Sequence, residues 1–410
     1  MSEFRKGWKV LVAALVGTAC GASPIPYNVV PLVLGPVHAE FGWDFAQAAA
    51  GITIYGLIAS LLAPLFGGFA DRFGVRRVAI LSLVAFIICF AAFWFMPPSL
   101  AGWYGLWAVL GLVAIGSTPV SWSRAVSMWF VRNRGIALGL MLVGTSLSAL
   151  VVPQVVTRAI SAYGDWRIAF PVAALFPLII ALPIALAWFR EPSREERPEG
   201  IADASGELIG LPLADAMKGR RFWLLWISIL VISTAYGGAH IHMAQIVALH
   251  GFSAAAGATT LGVVALGILT GRVLIGLLFD RLWAPAVAAP AMLLPAIACW
   301  LLEGTSSSLG MLMTGGFLLG FAAGTESDVI AFMAARYFGM AHYGKIYGAL
   351  YMPFGIGSAL SPILYGTIRD RTGNYDGMLT AAVVMFAIGG AMLLGLGRYP
   401  KPEDLHVRHD

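Results

Sequence analysis

Long apolar runs separated by short polar connections fill the chain from end to end. They cover residues 10–37, 46–69, 78–96, 103–130, 136–159 and 168–189, then 222–249, 255–279, 287–302, 309–335, 343–368 and 378–396. Such lengths suit a bilayer, because an α-helix needs about 20 residues to cross about 30 Å of hydrocarbon. The pattern predicts twelve spans, six on each side of one polar stretch. The first run lacks a short apolar segment followed by a small-residue cleavage site, so it reads as a retained helix rather than a signal peptide.

The two sets of six are copies of each other. Gly67-Gly68-Phe69-Ala70-Asp71-Arg72-Phe73-Gly74-Val75-Arg76-Arg77 follows the second run, and a reduced form, Gly276-Leu277-Leu278-Phe279-Asp280-Arg281, follows the eighth. Gly116 with Trp129-Phe130 answers Gly324 with Tyr337-Phe338, and Gly135 and Gly139 answer Gly344 and Gly348. A constant register over that distance marks a parallel duplication, and transporters built this way bind between their halves. The expected organisation is a six-helix bundle over 1–189, a linker over 190–221, a second bundle over 222–397 and a tail over 398–410.

Composition agrees with the spans. Hydrophobic residues make up 59% of the chain and charged residues 11%, and the mean hydropathy is +0.82; soluble domains are far more polar. Forty-eight glycines suit close helix packing in lipid. Cys20, Cys89 and Cys299 lie far apart in apolar runs and read as inert thiols, with no metal or cofactor spacing. The formal charge of +5 comes from loops and implies no nucleic-acid partner. With the N-terminus inside, nearly all loop Lys and Arg, from Arg5 to Arg408, fall on one side, against Arg158, Arg167, Arg369 and Arg371 on the other. That bias places both termini in the cytoplasm, expected here as that of a bacterial inner membrane.

The run Gly67-x3-Asp71-Arg72-x-Gly74-x-Arg76-Arg77 resembles the loop signature of the major facilitator superfamily, and the resemblance extends over essentially the whole chain. It implies an all-α membrane protein of twelve helices in two pseudo-symmetric six-helix bundles. It also implies that Gly67, Asp71, Arg72, Gly74, Arg76 and Arg77, with Asp280 and Arg281 in the second copy, form gating latches that bind no substrate. Charge–dipole contacts at helix ends give such latches a physical basis. Trp129-Phe130-x3-Arg134-Gly135-x-Ala137-x-Gly139, the segment Arg220-Arg221-Phe222-Trp223 and an Arg in the eighth span are similar to the monocarboxylate transporter and oxalate/formate exchanger branch. The chain departs from that branch at Ile268, where animal monocarboxylate transporters carry Asp, and at Tyr347 and Tyr351, where oxalate-type exchangers carry Lys. Neither coupling nor substrate therefore carries over.

Four formal charges fall deep inside spans: Arg124, Arg272, Glu326 and Asp328. Each costs at least ~2.5–3.5 kcal/mol at the bilayer centre and needs a partner, water or a ligand. Arg272 is read as a substrate-carboxylate anchor or, alternatively, as the partner of a tenth-span acid. Glu326 and Asp328 point about 200° apart on one helix, and each is a candidate proton carrier or a fixed counter-ion. Arg124 reads as a second anchor, a gating ion pair or a seam residue. Tyr27 and Asn28 beside Pro24, Pro26 and Pro31, His240 in the seventh span, and Tyr347 and Tyr351 in the eleventh are candidate cavity-lining groups. Each is also compatible with plain packing.

These readings lead to a secondary active transporter, not an enzyme, moving a small organic anion (a mono- or aromatic carboxylate) by alternating access with proton symport. It is expected as a monomer. The alternatives are an organic-anion exchanger without proton coupling and a non-transporting receptor on the same fold. No phosphate-binding loop or nucleophile motif points to a pump or an enzyme.

Overall fold

The computed structural model describes residues 3–202, 206–304 and 308–405. Arg408, the end of the tail and part of the linker lie outside the described residues. Among these, the fold is all-helical, with two isolated bridges, Ala202–Leu208 and Gly210–Gly339, as the only extended pairings. Nine described helices are long and apolar enough to cross a membrane. They are the second, third, fifth to tenth and twelfth spans. The eleventh is one helix, Tyr343–Thr372, with polar ends. The other two are broken.

The breaks have local causes. The first span runs as Glu3–Ala19 and Ile25–Phe41. Pro24 and Pro26 sit where the second piece starts and needs no N–H donors, whereas Pro31 is carried inside it. The fourth span, expected to be continuous over 103–130, is instead Leu100–Val113, a 3₁₀ turn Ile115–Ser117 and Pro119–Trp129. Its Gly-Ser-Thr-Pro run offers no backbone donor at Pro119, and the Ser117 and Thr118 hydroxyls turn back to Ala114 O (2.8 Å) and Ile115 O (2.7 Å). The seventh span divides at His242 into Arg220–Ile241 and Met243–Leu249. Helix starts carry ordinary caps: Ser99, Ser253 and Ser308 accept from the backbone N–H three residues on.

The chain forms two compact units. The first comprises Met1–Arg132, Leu140–Leu208 and Met340–Gly348; the second comprises Asn133–Gly139, Ile209–Gly339 and Ala349–Asp410. An aromatic cluster fills the first unit. Trp103, Trp107, Phe90 and Phe93 are fully buried, Phe93 stacks on Phe170 at 4.7 Å, and the Trp103 indole donates to Ala48 O at 2.9 Å. Edge-on and offset pairs of this kind add about 0.5–1.5 kcal/mol each beyond area burial.

The second unit is organised around glycine contacts between the eighth span, Ala254–Phe279, and the tenth, Leu309–Phe338. A Cβ on Gly267, Gly271, Gly320 or Gly324 would stand 2.0–2.3 Å from a carbonyl oxygen of the facing helix. Small residues four apart are what allows two backbones to meet in lipid. This packing brings Arg272 and Asp328 onto adjoining backbones.

Candidate functional site

Each unit holds one copy of the loop motif, and each copy ends a helix and caps another. In the first, Asp71 lies near the end of Phe45–Phe73. Its carboxylate accepts the N–H groups of Gly344 and Lys345, both at 2.9 Å, at the start of Tyr343–Thr372. Gly67 permits the approach, since a Cβ there would stand 1.9 Å from Gly344 O. Gly74 takes φ +86°, left-handed backbone that turns the chain into the third span. Arg76 donates to Leu186 O at 2.5 Å, Arg72 lies over the Phe73 ring, and Arg77 is exposed.

Arg124 belongs to this latch. Its guanidinium pairs with Asp71, donates from Nε to Glu191 at 2.9 Å and reaches Met340 O at 3.4 Å. It is 3% exposed, so carboxylates on two sides neutralise a charge that lipid or protein alone would not tolerate. Glu191 opens the polar linker, and this role was not anticipated from sequence.

In the second copy, Asp280 accepts Gly135 N–H at 2.6 Å and Ile136 N–H at 3.0 Å, at the start of Arg134–Tyr163. A Cβ on Gly135 would stand 2.2 Å from Gly276 O. Arg281 is exposed. The repeat position of Arg124 is occupied by Phe332, whose ring centroid lies 5.1 Å from that of Phe279.

The remaining intramembrane charges all belong to the second unit. Arg272 (6% exposed), Glu326 (4%) and Asp328 (1%) are buried. Arg272 acts electrostatically on Asp328, and neither Asp328 oxygen finds a hydrogen-bond partner among the described residues. Gly139 adjoins both, since its Cβ would stand 2.6 Å from Arg272 O and 3.3 Å from Asp328 Oδ2. Glu326 turns the other way, as the spacing requires. It receives the Ser233 hydroxyl and borders a cavity of about 10 Å³ with Ser228, Ile232, Met292 and Leu393. Tyr236 lies within the fields of both Glu326 and Arg272, and His240 stacks on it with ring centroids 5.5 Å apart.

The structure therefore brings Arg272, Asp328, Glu326, Tyr236 and His240 into one region of one unit. Tyr351, in the same unit, packs on Phe354 at 5.2 Å. Asn28 donates to Ser148 Oγ at 3.3 Å, and Tyr27 is 53% exposed beside Tyr55. Tyr347 is fully buried and stacked on Tyr343; these three belong to the first unit. Sequence reasoning passed over Ser233 and Tyr236. Their spacing with His240, roughly one turn each, was the available signal. His242 is bonded on two sides, to Pro362 O at 3.2 Å and to the Tyr375 hydroxyl at 3.1 Å.

Duplicated helix bundles, glycine-packed spans and capped loop latches define an integral membrane protein of the solute-transporter type. The Major Facilitator Superfamily profile matches residues 11–306, and the chain belongs to that family. It is similar to the riboflavin transporter RibJ of Trypanosoma brucei brucei, with 32% identity over 42% of this chain and 33% of that protein. A galacturonate transporter of Dickeya chrysanthemi shares 22% identity over 56% of this chain and 68% of that protein. The match to RibJ thus spans about a third of its length. The crystal structure of the human organic anion transporter MFSD10 superposes with a TM-score of 0.72 at 18% identity, covering 96% of this chain and 100% of the other. That likeness establishes the fold.

Proposed function

We propose that this chain is a secondary active transporter that carries a small organic anion, a mono- or aromatic carboxylate, in symport with a proton. The observation that carries the reading is one buried guanidinium, Arg272, beside a buried carboxylate, Asp328, that has no hydrogen-bond donor among the described residues. A carboxylate so poorly bonded is costly to keep in a membrane interior. It becomes intelligible as a site waiting for a ligand.

The planar fork of Arg272 matches a substrate carboxylate bidentately. When the anion takes that fork, Asp328 loses its counter-charge and binds a proton in compensation. Glu326 is the second proton-exchanging group. The loaded interior then holds no excess negative charge, which lowers the cost of closing it. Tyr236 and His240 supply an aromatic wall, consistent with planar acids. Arg124 is assigned to the first latch, and both latches gate the alternating exposure of the site. The similarity to a transporter of galacturonate, itself a carboxylate, supports the anionic class. The Lys and Arg distribution supports cytoplasmic termini, in what we take to be a bacterial inner membrane.

The test is uptake into proteoliposomes of labelled galacturonate, lactate and benzoate, driven by an acid-outside pH jump. At least one is expected to accumulate, and Arg272→Ala should lower its uptake about 100-fold, the worth of a lost charge-assisted pair. Wild-type uptake by Arg272→Ala would reject the anchor. Uptake that ignores the pH jump and requires internal counter-substrate would replace symport with exchange.

A further inference from the structure

Ser233 carries one hydroxyl proton and faces two acceptors. It lies on the seventh span, fully buried, with Ile229 O at 2.7 Å and a Glu326 carboxylate oxygen in hydrogen-bond contact. One proton cannot serve both. If Ser233 donates to Glu326, the carboxylate is ionised and Ile229 O keeps only its helical backbone bond. If Ser233 donates to Ile229 O, the contact with Glu326 holds only when the acid's own O–H donates to Ser233 Oγ. The same geometry therefore satisfies Glu326 in both protonation states, by a rotation of one hydroxyl.

We propose that Ser233 is the positioning residue that keeps one Glu326 oxygen hydrogen-bonded while the acid gains and loses a proton. This inference rests on the reading of Glu326 as a proton-exchanging group. The proton comes from and returns to the aqueous phase, the carboxylate alone is its acceptor, and the serine hydroxyl only turns. Few other groups can take this part. The seventh span also presents Tyr236, with His240 stacked upon it. The eighth carries Arg272, whose field reaches Tyr236 and Asp328. The ninth and twelfth present Met292 and Leu393, which carry no charge. Asp328, two residues along the same helix, points towards Gly139.

The experiment is pH-difference infrared spectroscopy of the full chain in lipid nanodiscs, which requires no substrate. The band of the protonated Glu326 carboxyl is assigned as the one that Glu326→Gln removes. In Ser233→Ala its titration midpoint should move by about one pH unit or more, the size expected for losing a hydrogen bond to a charged group. Ser233→Thr, which keeps the hydroxyl, should restore the wild-type midpoint. An unmoved midpoint in Ser233→Ala overturns the proposal and leaves the carrier reading intact. So does an equal displacement in Ser233→Thr, which would show a packing effect. A spectrum from which Glu326→Gln removes no band overturns the proposal together with the reading of Glu326 as a proton-exchanging group, and leaves Asp328 as the proton-binding acid.

Discussion

Asp71 and Asp280 stand one repeat apart, and each accepts two backbone N–H groups at the start of a helix. Behind Asp71 lies Arg124, itself held by Glu191; at the corresponding place in the second copy, Phe332 packs on Phe279. The backbone part of the device is thus shared, since it needs only a carboxylate and glycines small enough to admit it. What differs is the residue at one register position, Arg124 in the first copy and Phe332 in the second. In mid-membrane the asymmetry reverses: the first unit is filled by aromatic rings, while the second buries Arg272, Glu326 and Asp328. Duplication supplied a common scaffold, and apart from the paired aspartates each copy buries its charges where the other is uncharged.

The strongest way to break this comparison is to remove the charge behind the first latch. Arg124→Leu leaves Asp71 and part of Glu191 without a counter-ion and should cost about 3–5 kcal/mol, read as a lowered thermal midpoint in detergent. Asp71→Asn combined with Arg124→Leu should recover much of that loss, because a neutral amide has no buried charge to compensate. A double variant no more stable than Arg124→Leu alone would show that Arg124 acts by packing. Asp280→Ala, at the second copy, removes the acceptor of two backbone N–H groups and should cost at least about 1 kcal/mol, as for a lost helix cap.

A second contrast tests the scaffold itself. Gly116 and Gly324 are repeat equivalents, and a Cβ at either would collide. At Gly116 it meets the Ser82 hydroxyl at 2.4 Å; at Gly324 it meets Ile268 O at 2.3 Å. The Ser82 hydroxyl can rotate away, leaving Ser82 Cβ and Val78 Cγ1 at 2.9 Å to give by a few tenths of an ångström, but the backbone of a packed helix cannot. Gly324→Ala should therefore cost about 1–3 kcal/mol and Gly116→Ala less, in the same thermal assay. Equal losses would mean that the broken fourth span is as rigid as the continuous tenth.

That difference between spans also marks the limit of what the chain shows on reading. Twelve apolar runs and their repeat register are legible because lipid imposes one length and one polarity on every span. The opposed faces of Glu326 and Asp328 are legible from helix geometry alone. The break of the fourth span was not, because Gly116-Ser117-Thr118-Pro119 is a short uncharged insert that an average over a whole apolar span passes over. Its hydroxyls bond locally only once the backbone has turned. Arg124 was harder still. Depth counted along its own helix says nothing about Glu191, a linker residue far away in sequence that becomes its neighbour only through tertiary packing.

The smallest effect expected separates two arginines of the same unit. Arg190 holds Glu196 by two hydrogen bonds, at 2.5 and 2.7 Å, much as Arg124 holds Asp71 and Glu191, but at an exposed site of the linker. Those bonds, with the Ser193 N–H, push the Glu196 carboxyl down to about 2. A depressed carboxyl stabilises the fold above its unfolded value near 4.3, and the contribution disappears as pH falls towards 2. Solvent screens both groups, so Arg190→Gln should cost no more than about 0.5–1 kcal/mol at neutral pH and nothing at pH 2. Raising salt to about 1 M shrinks the Debye length to roughly 3 Å and should erase even that loss. The Arg124→Leu deficit should persist under the same salt, because ions do not reach a buried pair. If salt abolished both deficits alike, Arg124 would behave as a surface charge, and the contrast between the two arginines would lose its electrostatic basis.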